Sequence, residues 1–295
     1  MACLIARRRR LLLLRASILA VFLAGFAFPS VSAVSYRRPR RRPDLHVARR
    51  LDENDSTPQQ PLASQRPWMV TQGNHEVERI PVVHSSSFTA YNARWRMPFE
   101  ESGSTSNLYY SFDVAGAHVV MLGSYTDFGP SSAQYKWLQS DMAKVDRSKT
   151  PWILALIHAP WYNTNTAHQG ESESVDMKRD MESLLYNARV DVVFAGHVHA
   201  YERFARVYRD KADDCGPVHI TIGDGGNREG LATKFRNTGG EKISVFREAS
   251  FGHGELEVVN ATHAQWTWHR NDDGESVCSD AVWLTSLSSL TSCKA

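Results

Sequence analysis

From Trp68 onward the chain alternates short apolar runs with polar, glycine-bearing turns. Trp68–Thr71 reads as a short strand, and Leu108–Val114 with His118–Leu122 as a hairpin across Ala115-Gly116-Ala117. Tyr135, Leu138, Met142 and Val145 recur at spacings of three and four, which predicts a helix over Ser131–Asp146. Met177, Met181, Leu184 and Leu185 predict a second helix over Val175–Ala188. Trp152–Ile157 and Val190–Ala195 are unbroken apolar runs, the texture of strands covered on both faces. Val218–Ile222, Glu255–Val259 and His263–His269 complete the predicted strands. Strand, helix, strand, helix, strand predicts an α/β fold with antiparallel strands added late.

Before Trp68 the texture differs. Arg7–Arg10, the apolar stretch Leu11–Phe28 and Val31-Ser32-Ala33 together read as an export signal over residues 1–33. Arg15 interrupts the apolar run, and a cleavage site follows it. Both favour cleavage over a retained anchor. Residues 34–67 carry Arg, Pro, Gln and Ser without apolar periodicity and read as an arm or linker. Residues 68–295 are then the folded body.

Charge sharpens this division. The whole chain has 34 Lys+Arg against 32 Asp+Glu, near neutrality. Twelve of the arginines lie in residues 1–50, so the rest holds 22 basic residues against 31 acidic ones. An acidic body excludes a general nucleic-acid binder. No stretch beyond the signal is long enough to cross a bilayer, so the cleaved chain is expected to be secreted and soluble. Asn54 and Asn260 begin N-glycosylation sequons. If Cys3 leaves with the signal, Cys215, Cys278 and Cys293 remain. One disulfide and one free or intermolecular thiol are expected. Cys278 with Cys293 is a plausible pair that sequence cannot fix.

Three predicted strands end in polar, histidine-bearing turns: Gly73-Asn74-His75-Glu76, then His158-Ala159-Pro160, then Gly196-His197-Val198-His199. Ligands in open α/β sheets sit beyond the carboxyl ends of strands. Those three turns would bring Asn74, His75, His158, His197 and His199 to one place. Imidazole nitrogens and an amide oxygen suit a borderline metal ion. A lone histidine is more often a satisfied core or surface residue. The ordered conjunction of all three turns is what points to metal.

These three segments resemble the last three of the five motifs of the purple acid phosphatases. The resemblance runs from about Trp68 to the C-terminus and takes in Phe88–Asn92, Ile222–Asn227 and Phe251–Gly254. It implies a partial metallophosphoesterase β-sandwich flanked by helices. It also implies secreted hydrolysis of phosphate monoesters at a dinuclear centre, Fe plus a divalent Zn, Mn or Fe. By that resemblance Asn74, His158 and His197 hold the divalent ion and His199 the iron. His75 stabilises the phosphoryl group, and His168 faces the leaving oxygen. The family's Gly-Asp-x-Gly and Gly-Asp-x-x-Tyr strand ends supply further carboxylates and a tyrosinate, and neither stands before Gly73. Gly223-Asp224-Gly225-Gly226 fits the first by letter but comes after the last histidine motif. The expectation is a weakened iron site, one remaining divalent site, and uncovered sheet edges. The alternative to an active phosphatase is an impaired or inactive isoform that binds one metal or phosphate. Such a chain could self-associate or pair with an intact relative.

Overall fold

A computed structural model describes residues 17–20, 67–78, 86–237, 242–272 and 275–293. The predicted arm and Asn54 lie outside the described residues. Strand β1, Ser17–Ala20, falls inside the predicted export signal. The remaining strands are β2 Tyr110–Val114, β3 Ala117–Met121, β4 Trp152–Leu156, β5 Val192–Ala195, β6 Tyr201–Tyr208, β7 Lys211–Ala212, β8 Val218–Ile222, β9 Ser244–Glu248, β10 Gly252–Val258, β11 His263–Asp272 and β12 Glu275–Thr285. The helices are α1 Thr89–Arg94, α2 Ala133–Met142 and α3 Ser172–Asn187.

The strands form two sheets. The larger runs β2-β3-β4-β5-β8-β6-β7, with β9 also on β6. Its centre, β3-β4-β5-β8, is parallel. The smaller, antiparallel sheet runs β1-β10-β11-β12. In the small sheet β10 pairs with β1, which lies in the segment that cleavage of the predicted export signal would remove.

Alternation along the central strands builds three layers. On β3, Val120 points with Ile153, Ala155 and Val193 toward Leu138, Met177, Met181 and Leu185 of the helices. Val119 and Met121 point the other way, with Trp152, Leu154 and Phe194, onto Trp266, Trp268 and Leu256 of the small sheet. Both faces of the central strands are therefore dry, and their unbroken apolar runs follow from that.

The hairpin turns on two residues, Ala115 and Gly116, with φ of 52° and 78°. This is the left-handed geometry of a tight hairpin, which glycine adopts without steric cost. Helix α2 starts where the Ser132 hydroxyl accepts from the Tyr135 N–H, two residues after its predicted start. Helix α3 starts a turn earlier than apolar spacing predicts.

Trp68–Thr71 is not a strand. Its polar backbone is satisfied by side chains instead: the Val70 carbonyl accepts from Tyr110 Oη at 2.7 Å and Tyr91 Oη at 3.1 Å. The disulfides also differ from expectation, since Cys278 is itself disulfide-bonded where a free thiol was expected. Cys215 pairs with Cys293, at a Cα separation of 5.3 Å. No cysteine is free among the described residues. The Cys293 turn docks on the β7–β8 connection, where Cys293 Sγ also approaches the Asp214 carbonyl.

One buried histidine ties the hairpin to α2. His118 Nδ1 lies 2.6 Å from Asp113 Oδ1, and its Nε2 lies 3.0 Å from Asp141 Oδ2. Burial alone would lower its pKa, but the hydrogen bonds and charges of the two carboxylates outweigh that and raise it. A raised folded-state value adds stability that is complete below about 6.5, the unfolded value, and fades as pH rises through the folded value. His118→Gln should thus cost about 1–3 kcal/mol at pH 5 and less at pH 8, read by urea unfolding. An equal cost at both values would show that the imidazolium is not what holds the hairpin.

Candidate metal site

The carboxyl ends of β3, β4 and β5 lie side by side, and the loops leaving them are tied together. The Ser124 hydroxyl accepts from the N–H groups of both His158 and Ala159 at 3.1 Å. Gly196 N–H donates to the His158 carbonyl at 2.9 Å. Beyond β5 the chain makes two successive three-residue turns, with Val198 N–H to Gly196 O at 2.7 Å and Ala200 N–H to Val198 O at 2.8 Å. His197 is the central residue of the first, with a left-handed φ of 66°. Such a conformation in a histidine costs of order 1 kcal/mol or more and persists only where its surroundings fix it.

The third segment, Asn74–Val77, is a single 3-10 turn. Glu76 Oε2 accepts the Gly73 N–H at 2.7 Å and closes it. A Cβ on Gly73 would stand 2.6 Å from His158 Cε1, so only glycine lets the imidazole ring lie against this turn.

Two further donor atoms stand beside His158 Nε2 there. Asn74 Oδ1 and His197 Nδ1 each lie 3.2 Å from His158 Nε2. Ligand atoms bound tetrahedrally to one ion at about 2.0–2.1 Å stand roughly 3.4 Å apart. The observed separations therefore fit a divalent ion, and an N, N, O donor set suits Zn, Mn or Fe(II). Burial, followed by the positive charge of His197, His75, His168 and His199, holds the His158 imidazole well below its usual pKa. Burial lowers His197 too, although Glu171 opposes it. Burial thus disfavours the charged form of both rings, the same direction that binding a metal would require.

The other predicted residues lie around these three. His75 Nε2 lies 3.6 Å from Glu229 Oε1, and His199 Nε2 lies 4.0 Å from Glu229 Oε2. His199 Nδ1 is 3.1 Å from the Gly230 carbonyl. Glu229 is the one described carboxylate paired with His199. One carboxylate does not provide the anionic oxygen set that a trivalent iron requires. The His168 ring lies against that of His197, with centroids 3.7 Å apart and planes tilted by 41°. Asn260 is exposed between β10 and β11, where its Oδ1 accepts from Thr262 N and His263 N at 2.8 Å.

Two residues at the site were not anticipated. Tyr125 packs its ring on His158 and His197, and its buried hydroxyl has no partner among the described residues. No sequence pattern marks it. Glu171 places Oε1 2.9 Å from His168 Nδ1 and Oε2 2.8 Å from His197 Nε2. Burial raises the Glu171 carboxyl, but the two histidines more than offset that and lower it. It stands immediately before α3, and it would have drawn notice had the helix been started correctly.

Residues 44–201 match the profile of the calcineurin-like phosphoesterases. The chain belongs to that family. Residues 216–279 match a second profile, described as iron/zinc purple acid phosphatase-like protein C. Among relatives in Arabidopsis thaliana, the probable purple acid phosphatase 20 is 72% identical over 80% of this chain and 55% of its own length. Purple acid phosphatase 22 is 66% identical over 79% of this chain and 53% of its own. The phosphoesterase chain thus spans about half the length of the curated relatives it matches. A solved purple acid phosphatase from yellow lupin seeds, PPD1, superposes with a TM-score of 0.67 over 80% of this chain and 44% of that one. At 23% identity that likeness shows the fold. The recognition of the purple acid phosphatase group and the α/β phosphoesterase fold both hold.

Proposed function

We propose that this chain forms the histidine half of a secreted purple acid phosphatase site. It would hold one divalent ion and act on phosphate monoesters. The observation that carries this is the convergence of Asn74 Oδ1, His158 Nε2 and His197 Nδ1. An ion held by Asn74, His158 and His197 would supply Lewis acidity there. The protein's own groups do the rest. His75, half exposed at the mouth, donates an N–H to an equatorial oxygen of the ester. His168 has its Nδ1 engaged by Glu171, which leaves Nε2 to carry a proton toward the leaving oxygen. Tyr125 and Glu171 lie against His197, which is buried.

A second reading rests on Glu229, the single carboxylate beside His199. On that reading the chain binds one ion or phosphate without turnover, alone or beside an intact relative. Hydrolysis of an aryl phosphate at about pH 5 by the purified secreted chain separates the two. His197→Ala should lower the rate more than about 100-fold, beyond the 10–100-fold that loss of an outer partner costs. A rate equal to that of the variant, from folded protein, supports the second reading and defeats the first.

Secretion is supported by the N-terminal pattern and by the exposed sequon at Asn260. Among the described residues no helix is long and apolar enough to cross a membrane.

A further inference from the structure

Resting on the metal site proposed above, we propose that Glu171 is the positioning residue that fixes both histidines of the α3 side. Its Oε2 accepts Nε2–H of His197, and its Oε1 accepts Nδ1–H of His168. A neutral imidazole carries one proton. With it held on Nε2, the bare nitrogen of His197 is Nδ1, the atom 3.2 Å from His158 Nε2. His168 is held the opposite way, and its Nε2 has no hydrogen-bond partner among the described residues. One carboxylate thus sets the donor atom of the metal ligand and the orientation of the outer histidine.

Three further observations support this assignment. Glu171 occupies the N-cap position of a 16-residue helix, yet its side chain makes no capping hydrogen bond. A cap residue ordinarily accepts from the helix's own free N–H groups. Here that local rule is broken, and the carboxylate turns to the histidines instead. Both histidines also hold left-handed backbones, with φ of 55° at His168 and 66° at His197. Their rings meet at a centroid separation of 3.7 Å, an arrangement that needs a fixed partner across the pair. The helix N-terminus behind Glu171 favours a negative charge at that place.

His168, Glu171 and His197 also offer ligand atoms within 4.8 Å of one another, so Glu171 could instead be a ligand. That arrangement would draw His197 Nε2 to the ion and turn Nδ1 away from use. It would also leave Asn74 and His158 without their third donor. The two assignments therefore differ in the proton position on His197 and in the size of the loss on substitution.

The test uses the full secreted chain. Zinc affinity is measured by competition with a chelating dye, and histidine tautomers by long-range proton–nitrogen NMR of metal-free protein. The unaltered chain should bind zinc and show His197 protonated at Nε2. Glu171→Gln should weaken zinc 10–100-fold and disturb that tautomer, with its urea midpoint unchanged. Glu171→Asp should recover part of the affinity, and Glu173→Gln, on the same turn, should change nothing. If Glu171→Gln binds zinc as the unaltered chain does, positioning by Glu171 is wrong and the metal site stands. If it falls to the level of His197→Ala, Glu171 is a ligand and the assignment is likewise overturned. No zinc binding by the unaltered chain removes the metal site and this inference together. His197 protonated at Nδ1 in the metal-free chain overturns the inference even if the Gln variant does not fold.

Discussion

Asp280→Ala should lower the free energy of unfolding by about 3–5 kcal/mol, because it strands a buried cation between the two sheets. Asp280 lies on β12 of the small sheet, and Arg203 lies on β6 of the large one. Arg203 Nε donates to Oδ2 at 2.7 Å and a terminal nitrogen donates to Oδ1 at 2.9 Å, a two-pronged pair. Tyr201 Oη donates to the same Oδ2 at 2.7 Å and accepts from Trp266 Nε1 at 2.8 Å. Burial works against the guanidinium charge, but the Asp280 carboxylate outweighs it and raises the arginine's pKa. Removing the carboxylate leaves Arg203 and Tyr201 without acceptors in a dry layer. Urea unfolding at pH 6 measures the loss. Glu100→Ala breaks the exposed Arg96–Glu100 pair and should leave the midpoint where it was. Equal behaviour of the two variants would mean that the strut contributes nothing across the sheets.

The second large effect concerns pH. Asp224 is fully buried, and its Oδ2 accepts from Trp268 Nε1 at 2.8 Å. Its Oδ1 has no partner among the described residues. Burial pushes its pKa up to about 7, against the smaller opposing pull of Trp268 and its own backbone N–H. A carboxyl raised in the fold stays protonated between about 4 and 7 while the unfolded chain has released its proton. Stability therefore falls as pH rises through that window, by roughly 3 kcal/mol between pH 5 and pH 8 from this group. His219 acts in the opposite sense. Burial lowers it to about 3, so it costs stability as pH falls below the unfolded value near 6.5. The two are separated by the difference between Asp224→Asn and the unaltered chain. That difference should move by roughly 3 kcal/mol in favour of Asn between pH 5 and pH 8. A constant difference would mean that the Asp224 carboxyl titrates where an exposed one does.

Sequence revealed the parts of this molecule whose physics is local. Val218–Ile222 is buried at every residue because both of its faces are covered, even though His219 and Thr221 interrupt its apolar run, and its ends were read correctly. The three histidine turns were legible because each carries a histidine and two of them open on a glycine, although the segment before Gly73 is not a strand. Strand β6 was missed because Glu202, Arg203 and Arg206 break its apolar pattern. Those charges are tolerated only through distant partners: Glu202 accepts from the Thr164 N–H and Ser244 Oγ, and Arg203 has Asp280. A pairing that spans tens of residues leaves no trace in a window of ten. The same reason hid Glu171, whose two partners come from different loops. It also hid the true disulfide, since Cys278 is nearer to Cys293 in sequence than Cys215 is.

The Cys215–Cys293 bridge sets a schedule. Its ends are 78 residues apart and enclose strands β8 to β12. Closing a loop of that length removes chain entropy worth about 4.5 kcal/mol, comparable with the whole net stability of many domains. That contribution arrives late. During synthesis the segment carrying β2 to β5 and both long helices emerges first and can begin to pack. The bridge waits until Cys293 has left the ribosome and met an oxidant. Until then the small sheet and the closing turns have only their own contacts to hold them. A chain made where thiols stay reduced would finish its helical layer and leave the other side of the molecule unlocked.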